Sequence, residues 1–171
     1  MVEPLLGLRA EKLYEMSREK WQWNSRYWEQ VALMNLALYR KGSNDPERLR
    51  NAIQHARHAV ALETHPLSLT TLGKVLFASL FANDFGDIEL LDEAIRRLDL
   101  AISMERKWLR PFGHSYVTLF SGVRQYLQKD RMLTDIQRGI VFARIEEARK
   151  LFKGDPEVVP EIEKIEKYFR V

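Results

Sequence analysis

Residues 45–63 read DPERLRNAIQHARHAVALE, and residues 87–105 read DIELLDEAIRRLDLAISME. Laid over each other at an offset of 42, the two stretches have seven identical pairs: Asp45/Asp87, Glu47/Glu89, Leu49/Leu91, Ala52/Ala94, Ile53/Ile95, Ala59/Ala101 and Glu63/Glu105. Their shared apolar positions recur at helical spacing. We therefore predict two amphipathic helices that have the same role in successive copies of an internal repeat.

The ends and small residues of these stretches support the same prediction. Each aspartate, Asp45 or Asp87, is a plausible N-cap, and Pro46 takes the first helical position, where no N–H is needed. The paired alanines lie seven residues apart in both copies, which puts them two turns apart on one helix face. Small side chains there allow a neighbouring helix to approach closely.

The segments that precede the two helices also match. Trp28, Val31, Ala32 and Asn35 correspond to Leu69, Leu72, Gly73 and Leu76 at an offset of 41. Loop signals containing glycine, proline, asparagine or aspartate separate helical segments along the whole chain, and no stretch alternates as a strand does. The sequence therefore predicts an all-α chain of stacked antiparallel helical hairpins.

These positions resemble the tetratricopeptide repeat. In that family the first helix carries large, large, small and large residues at the matched positions, with Asn35 a departure, and the second carries small, large and small residues, as Ala94, Leu98 and Ala101 do. The usual repeat has about 34 residues, whereas these units span 41 to 42. The resemblance implies a right-handed superhelix of seven to eight helices, with longer helices or an extended turn within each hairpin.

The repeat register divides the chain into one domain of five segments. We predict an N-terminal helix at 4–24, repeats at 25–65 and 66–107, a degenerate third repeat at 108–153, and a capping helix at 156–170. The third repeat would use Tyr116, Leu119, Phe120 and Val123 in its first helix, and Val141, Phe142, Ile145 and Ala148 in its second. Phe120 departs from the pattern, because a small residue is expected there. The last helix would present Val158, Ile162, Ile165 and Phe169 as one apolar stripe.

Two short runs suggest a narrower kinship. Residues 25–30, SRYWEQ, and 65–74, HPLSLTTLGK, resemble repeat regions attached to bacterial defence proteins. That resemblance implies a sensor or adaptor role without the effector's nucleotide chemistry, since no phosphate-binding loop is present.

Composition excludes several kinds of chemistry. The 171 residues include no cysteine, so disulfides and thiolate chemistry are absent. No zinc-protease, serine-hydrolase or dinucleotide-binding motif occurs. His55 and His58 share a helix face, but two imidazoles without an acidic partner make a weak metal site. We expect a non-enzymatic, cytoplasmic chain with no metal, cofactor or membrane segment; self-association stays open.

The tetratricopeptide resemblance implies a concave groove lined by the first helix of each hairpin. Carried over by register, the partner-binding positions are Arg26, Glu29, Leu33, Leu67, Thr70, Lys74, Phe77, His114 and Arg124, with Val117 and Ser121 beside them. Arg26, Lys74 and Arg124 would make the groove basic, which suits an acidic segment or a C-terminal carboxylate. The alternative is that these three residues are ordinary exposed charges without a role in binding.

A second function stays open. Basic residues and Trp108 lie between Arg106 and Arg131, and the net charge is +3. An aromatic ring among cations can stack a base and hold phosphates, so nucleic-acid binding is the alternative to protein binding.

The run WQWNSRYWEQ at residues 21–30 holds three of the four tryptophans. By register Trp28 is a packing residue, and Trp21 caps the same seam if the helix is continuous. Trp23 and Tyr27 would cover the first hairpin against the N-terminal helix. An exposed Trp23 would instead indicate a docking surface.

Overall fold

The computed structural model describes residues 3–43, 45–84, 86–106 and 113–169. Over these residues the chain is all-helical, which confirms the predicted class. The eight α-helices there are α1 Glu3–Trp21, α2 Ser25–Leu38, α3 Pro46–Leu62, α4 Pro66–Ala82, α5 Ile88–Glu105, α6 His114–Leu127, α7 Asp135–Leu151 and α8 Val158–Glu166. A π-helical turn, Tyr39–Ser43, extends α2 towards α3.

Both aspartates predicted to cap the repeated helices do so. The carboxylate of Asp45 accepts a hydrogen bond from the backbone N–H of Glu47 at 2.9 Å. The carboxylate of Asp87 accepts from the N–H groups of Glu89 and Leu90 at 3.1 and 3.2 Å. Each cap satisfies donors that a helix start leaves without an intrahelical partner.

The first two hairpins, α2–α3 and α4–α5, are closely packed as the repeat predicts. The paired alanines of α3 and α5 are fully buried. At Gly73 of α4, an added Cβ would lie 2.6 Å from Cγ of Leu98 on α5, so the small residue is required for this approach. Helix α4 lies at the centre, in contact with α2, α3, α5 and α6.

The third hairpin is different. Helix α6 packs more extensively against α8 than against α7. Phe120 of α6 is fully buried at the position where Gly73 lies in α4. Close approach occurs instead at the start of α6, where an added Cβ on Gly113 would lie 2.4 Å from Cγ2 of Val158 in α8.

One predicted core residue of the third repeat is wrong. Phe142 is 51% exposed, whereas Val141, Ile145 and Ala148 are buried as predicted. Successive helical residues point about 100° apart, so Phe142 lies off the stripe that Val141 defines. The apolar stripe predicted for the last helix is confirmed: Val158, Ile162 and Ile165 are buried, and Phe169 packs against the core.

The front of the chain corrects the interpretation of the tryptophan run. Helix α1 ends at Trp21, and Asn24 caps a separate α2. Trp28 is buried as predicted, and its indole N–H donates to the carbonyl of Gln22 at 2.8 Å. Because the helix breaks here, Trp21 and Trp23 do not cover a seam; they are 45% and 80% exposed.

Tyr27 alone makes the contact predicted for the Trp23–Tyr27 pair. Its hydroxyl donates to the carbonyl of Tyr14 in α1 at 2.5 Å, and the two rings meet edge to face.

Throughout the described ranges, every helix falls short of the length and apolarity that crossing a bilayer would require.

Candidate functional site

A groove of about 460 Å³ is shared by α2, α4 and α6, the first helices of the three hairpins. Its lining combines an apolar floor with hydroxyl, amide and charged groups along the sides. The lining residues are Glu29, Leu33, Arg40, Leu67, Thr70, Thr71, Lys74, Phe77, Ala78, Phe81, His114, Val117, Thr118, Ser121, Gly122 and Gln125. These helices run side by side because α4 packs directly against both of the others.

Most of the residues carried over from the repeat register lie in this groove. Glu29 and Leu33 come from α2 and His114 comes from α6, while α4 contributes Leu67, Thr70, Lys74 and Phe77. The neighbouring Val117 and Ser121 also line it. The register therefore located the groove-facing stripe of all three helices.

Two of the predicted residues do not line the groove. The guanidinium of Arg124 lies 3.4 Å from a carboxylate oxygen of Glu161 on α8, and its side chain is 21% exposed. Its cation is therefore neutralised against the capping helix. Arg26 is half exposed and lies 3.2 Å from the carboxylate of Glu29. The basic triad of Arg26, Lys74 and Arg124 is not assembled in the groove.

The structure adds groove residues that the repeat register did not predict. Arg40 enters from the π-helical turn after α2, Phe81 from the end of α4, and Gln125 from the end of α6. Phe81 and Gln125 continue the predicted stripes by one further turn, since they follow Phe77 and Ser121 by four residues. Extending the register to the ends of α4 and α6 would have found them, whereas Arg40 lies beyond the end of α2.

The floor of the groove is aromatic. Phe77 is 3% exposed, and its ring stacks on that of Phe81 with centroids 5.9 Å apart. Gly122 of α6 makes room for this pair, because an added Cβ there would lie 2.4 Å from the Phe77 ring. A larger residue at position 122 would push α6 away from α4.

Glu29 is a buried carboxylate that joins α2 to α4. It is 5% exposed and accepts hydrogen bonds from Arg26 Nη1 at 3.2 Å and from Thr71 Oγ1 at 3.3 Å. A buried charge is tolerated when it is paired and hydrogen-bonded. Glu29 is thus occupied within the chain and is not a free acceptor for a ligand.

A second buried polar chain joins α4, α5 and α6 at one end of the groove. The hydroxyls of Thr70 and Ser115 are 2.7 Å apart, and Ser115 donates to Oε1 of Glu105. Burial raises the pKa of the Glu105 carboxyl, and the Ser115 hydrogen bond opposes that rise. Within the described residues no donor reaches Oε2 of Glu105.

Two groove cations stand apart from these networks. Lys74 and Arg40 are exposed, and among the described residues neither forms an ion pair. His114 is exposed at the opposite end, 3.8 Å from the carboxylate of Glu157. An incoming carboxylate therefore meets Lys74 and Arg40 without displacing an existing partner.

The histidine pair of α3 packs against an aromatic ring. Trp28 stacks on His55 at 5.1 Å between ring centroids and meets His58 edge to face at 4.8 Å. Burial lowers the pKa of His55, which favours its neutral form. No group of three metal-ligating side chains occurs among the described residues.

The basic surface considered for nucleic acid is largely occupied by internal partners. Arg106 lies 2.5 Å from Glu147, and Arg131 donates to the carbonyl of Asp84 at 3.4 Å. Lys129 also has a partner within the chain. Trp108, the stacking residue of that hypothesis, lies outside the described residues.

Comparisons with known proteins found no relative of this chain. The sequence matches no protein-family model, and searches of curated proteins and of solved structures found no significant match.

Proposed function

We propose that this chain is a non-catalytic protein-interaction module whose groove binds an acidic peptide or an acidic partner helix. The observation that carries the proposal is the groove itself. Its floor is aromatic, and Lys74 and Arg40 on its sides have no ion pair among the described residues.

The groove's chemistry suits a short amphipathic segment. Leu67, Phe81 and Val117 line the groove and are only partly buried, so they offer apolar area to anchor residues. On a bound helix such anchors recur three, four and seven positions apart. Lys74 and Arg40 offer donors to carboxylates on the same segment. Hydrogen bonds between ionised partners are stronger than those between neutral groups, so these cations favour an acidic ligand over a basic one.

The same helices hold the groove in one shape. The Glu29–Thr71 contact ties α2 to α4, and the Thr70–Ser115 contact ties α4 to α6. A site that is already ordered loses little conformational entropy when a ligand binds. The buried carboxylates thus serve binding through the position of the helices and not through contact with the ligand.

The tetratricopeptide resemblance belongs to this proposal. The packing of α4 against α2 and α6 supports a stacked array of the first helices, and a right-handed superhelical course is the arrangement we infer from it. The resemblance of residues 25–30 and 65–74 to repeat regions of bacterial defence proteins makes a sensor or adaptor the setting we infer.

Selection of a random peptide library on the immobilised protein tests the ligand class. We expect enriched peptides to carry aspartate or glutamate together with apolar residues at helical spacing. Fluorescence anisotropy of one labelled hit then compares Lys74→Glu with Lys150→Glu, a matched reversal at an exposed position of α7 that does not line the groove. Affinity should fall at least about tenfold in the first variant only.

Two outcomes would contradict the proposal. One is enrichment of basic peptides, or of none. The other is an equal effect of the two reversals, which would place binding elsewhere. A filter-binding titration with single-stranded RNA and duplex DNA tests the alternative, because phosphate binding would be tight and steeply salt-dependent.

A further inference from the structure

A second cleft, of about 730 Å³, lies between α5 and the start of α7. It shares no lining residue with the groove. Its walls include Ile88, Leu100 and Ile136, which are 48%, 41% and 72% exposed. Large apolar side chains grouped on an exposed surface are typical of sites where proteins associate.

Four residues of α5 form a ridge along this cleft. Ile88, Asp92, Arg96 and Leu100 follow one another at intervals of four residues, and all line the cleft. Side chains at this interval make one continuous ridge on a helix surface. The order along the ridge is apolar, acidic, basic, apolar. When a second copy of the ridge runs in the opposite direction, its basic residue lies opposite the acidic residue of the first copy, and its acidic residue lies opposite the basic one.

Such a ridge is complementary to itself. Two identical chains related by a twofold axis present the same surface to each other, and the two ridges run antiparallel when that axis is perpendicular to them. With the axis centred at position 94, Ile88 faces Leu100 of the second copy, and Asp92 faces Arg96 of the second copy. Packing of four-residue ridges from two helices is the commonest way in which helices meet in globular proteins.

The central charges are already arranged for this contact. The carboxylate of Asp92 lies 2.7 Å from Nε of Arg96 in the same chain, with the two side chains 38% and 69% exposed. Asp92 also accepts a hydrogen bond from Gln137 of α7 at 3.4 Å. In the twofold arrangement the four charges of two copies alternate in sign, so each keeps its internal partners and gains an ion pair across the axis. The apolar residues at both ends of the ridge shield this set from water.

We propose that the ridge Ile88–Asp92–Arg96–Leu100 is a homodimer surface and that its occupant is a second copy of this chain. Ile136 of α7 forms the opposite wall of the cleft and adds apolar area beside the ridge. The pairing leaves the groove open, so a dimer would present two groove sites.

Sedimentation equilibrium between about 1 μM and about 1 mM tests the proposal. We expect a reversible dimer for the wild type and at least about tenfold weaker association for either Asp92→Arg or Arg96→Asp. Each variant places like charges opposite each other in its own dimer. An equimolar mixture of the two variants pairs arginines with aspartates at both contacts and should associate as the wild type does.

The control is Arg50→Asp on α3, which breaks an exposed ion pair of similar local spacing away from the cleft. It should leave association unchanged, and circular dichroism checks that each variant is folded. A wild-type monomer at about 1 mM overturns the proposal. A dimer that tolerates both ridge variants, or a mixture that fails to associate, overturns it as well, because the contact would then lie on another surface or have another occupant.

Discussion

Replacing Gly73 by alanine tests the packing of the central hairpin. An added Cβ would lie 2.6, 2.8 and 2.9 Å from Cγ and the two methyl carbons of Leu98. Leu98 is fully buried within the core cluster, so it can move away only by displacing other core side chains. Gly139 of α7 is the matched control, because an added Cβ there meets nothing within 4 Å.

The expected magnitudes follow from two opposing effects. Alanine is favoured over glycine inside a helix by up to about 1 kcal/mol, at either position. Overpacking a filled core costs about 1–3 kcal/mol, and only at Gly73. Gly139→Ala should therefore stabilise the protein by about 0.5–1 kcal/mol. Gly73→Ala should come out about 2 kcal/mol less stable than that control, and Gly73→Leu should lose more than about 2 kcal/mol relative to wild type.

Urea unfolding followed by far-ultraviolet circular dichroism measures both variants as shifts of the midpoint at unchanged slope. In a Leu98→Ala background the obstruction is gone, so Gly73→Ala should become stabilising; contacting residues commonly show coupling energies of about 0.5–3 kcal/mol. If Gly73→Ala stabilises the wild-type protein as much as Gly139→Ala does, the register of α4 against α5 is wrong.

Two further predictions concern other buried groups. Trp28→Ala should destabilise the protein by about 3–5 kcal/mol in the same unfolding assay, whereas Trp23→Ala should change stability by less than about 0.5 kcal/mol; similar losses would refute the assignment of one as core and the other as surface. Burial raises the folded-state pKa of Glu105 above its ordinary value of 4.5. The stability that this shift contributes is therefore complete below pH 4.5 and is lost as pH rises through the folded-state pKa. The variant Glu105→Gln should therefore gain stability relative to wild type as pH rises from about 4 to 8, and urea midpoints across that range would contradict the reasoning if the difference stayed constant.

Local signals in the sequence were sufficient for most of the helices. Asp45 and Asp87 cap the helices they were predicted to cap, since a cap depends on residues only two or three positions away. Helical spacing also identified the core faces of α3 to α5, where Ala52 and Ala94 are fully buried. Most of the residues expected in the groove also line it, because one face of each of α2, α4 and α6 contributes to it; their role in binding stays a prediction.

The predictions failed for two reasons: one residue pairs with a partner distant in sequence, and two others were assigned from local patterns that the helices do not follow. Arg124 occupies a groove position by register but pairs with Glu161 of α8, 37 residues away. Phe142 was assigned to the core by its apolar character, although the stripe of Val141 leaves it 51% exposed. Trp21 was assigned to a seam on the assumption of one continuous helix, which Asn24 interrupts.

By itself the sequence determined the helices, their caps and the duplicated hairpin, because each depends on local hydrogen bonding and on a spacing that one helix repeats. The tertiary structure alone decided that α6 packs more extensively against α8 than against α7, because that packing depends on contacts such as Gly113 with Val158, which are far apart in the sequence. It also decided which cations remain in the groove. Lys74 stays exposed there and Arg124 does not, because only the folded chain brings Glu161 to Arg124.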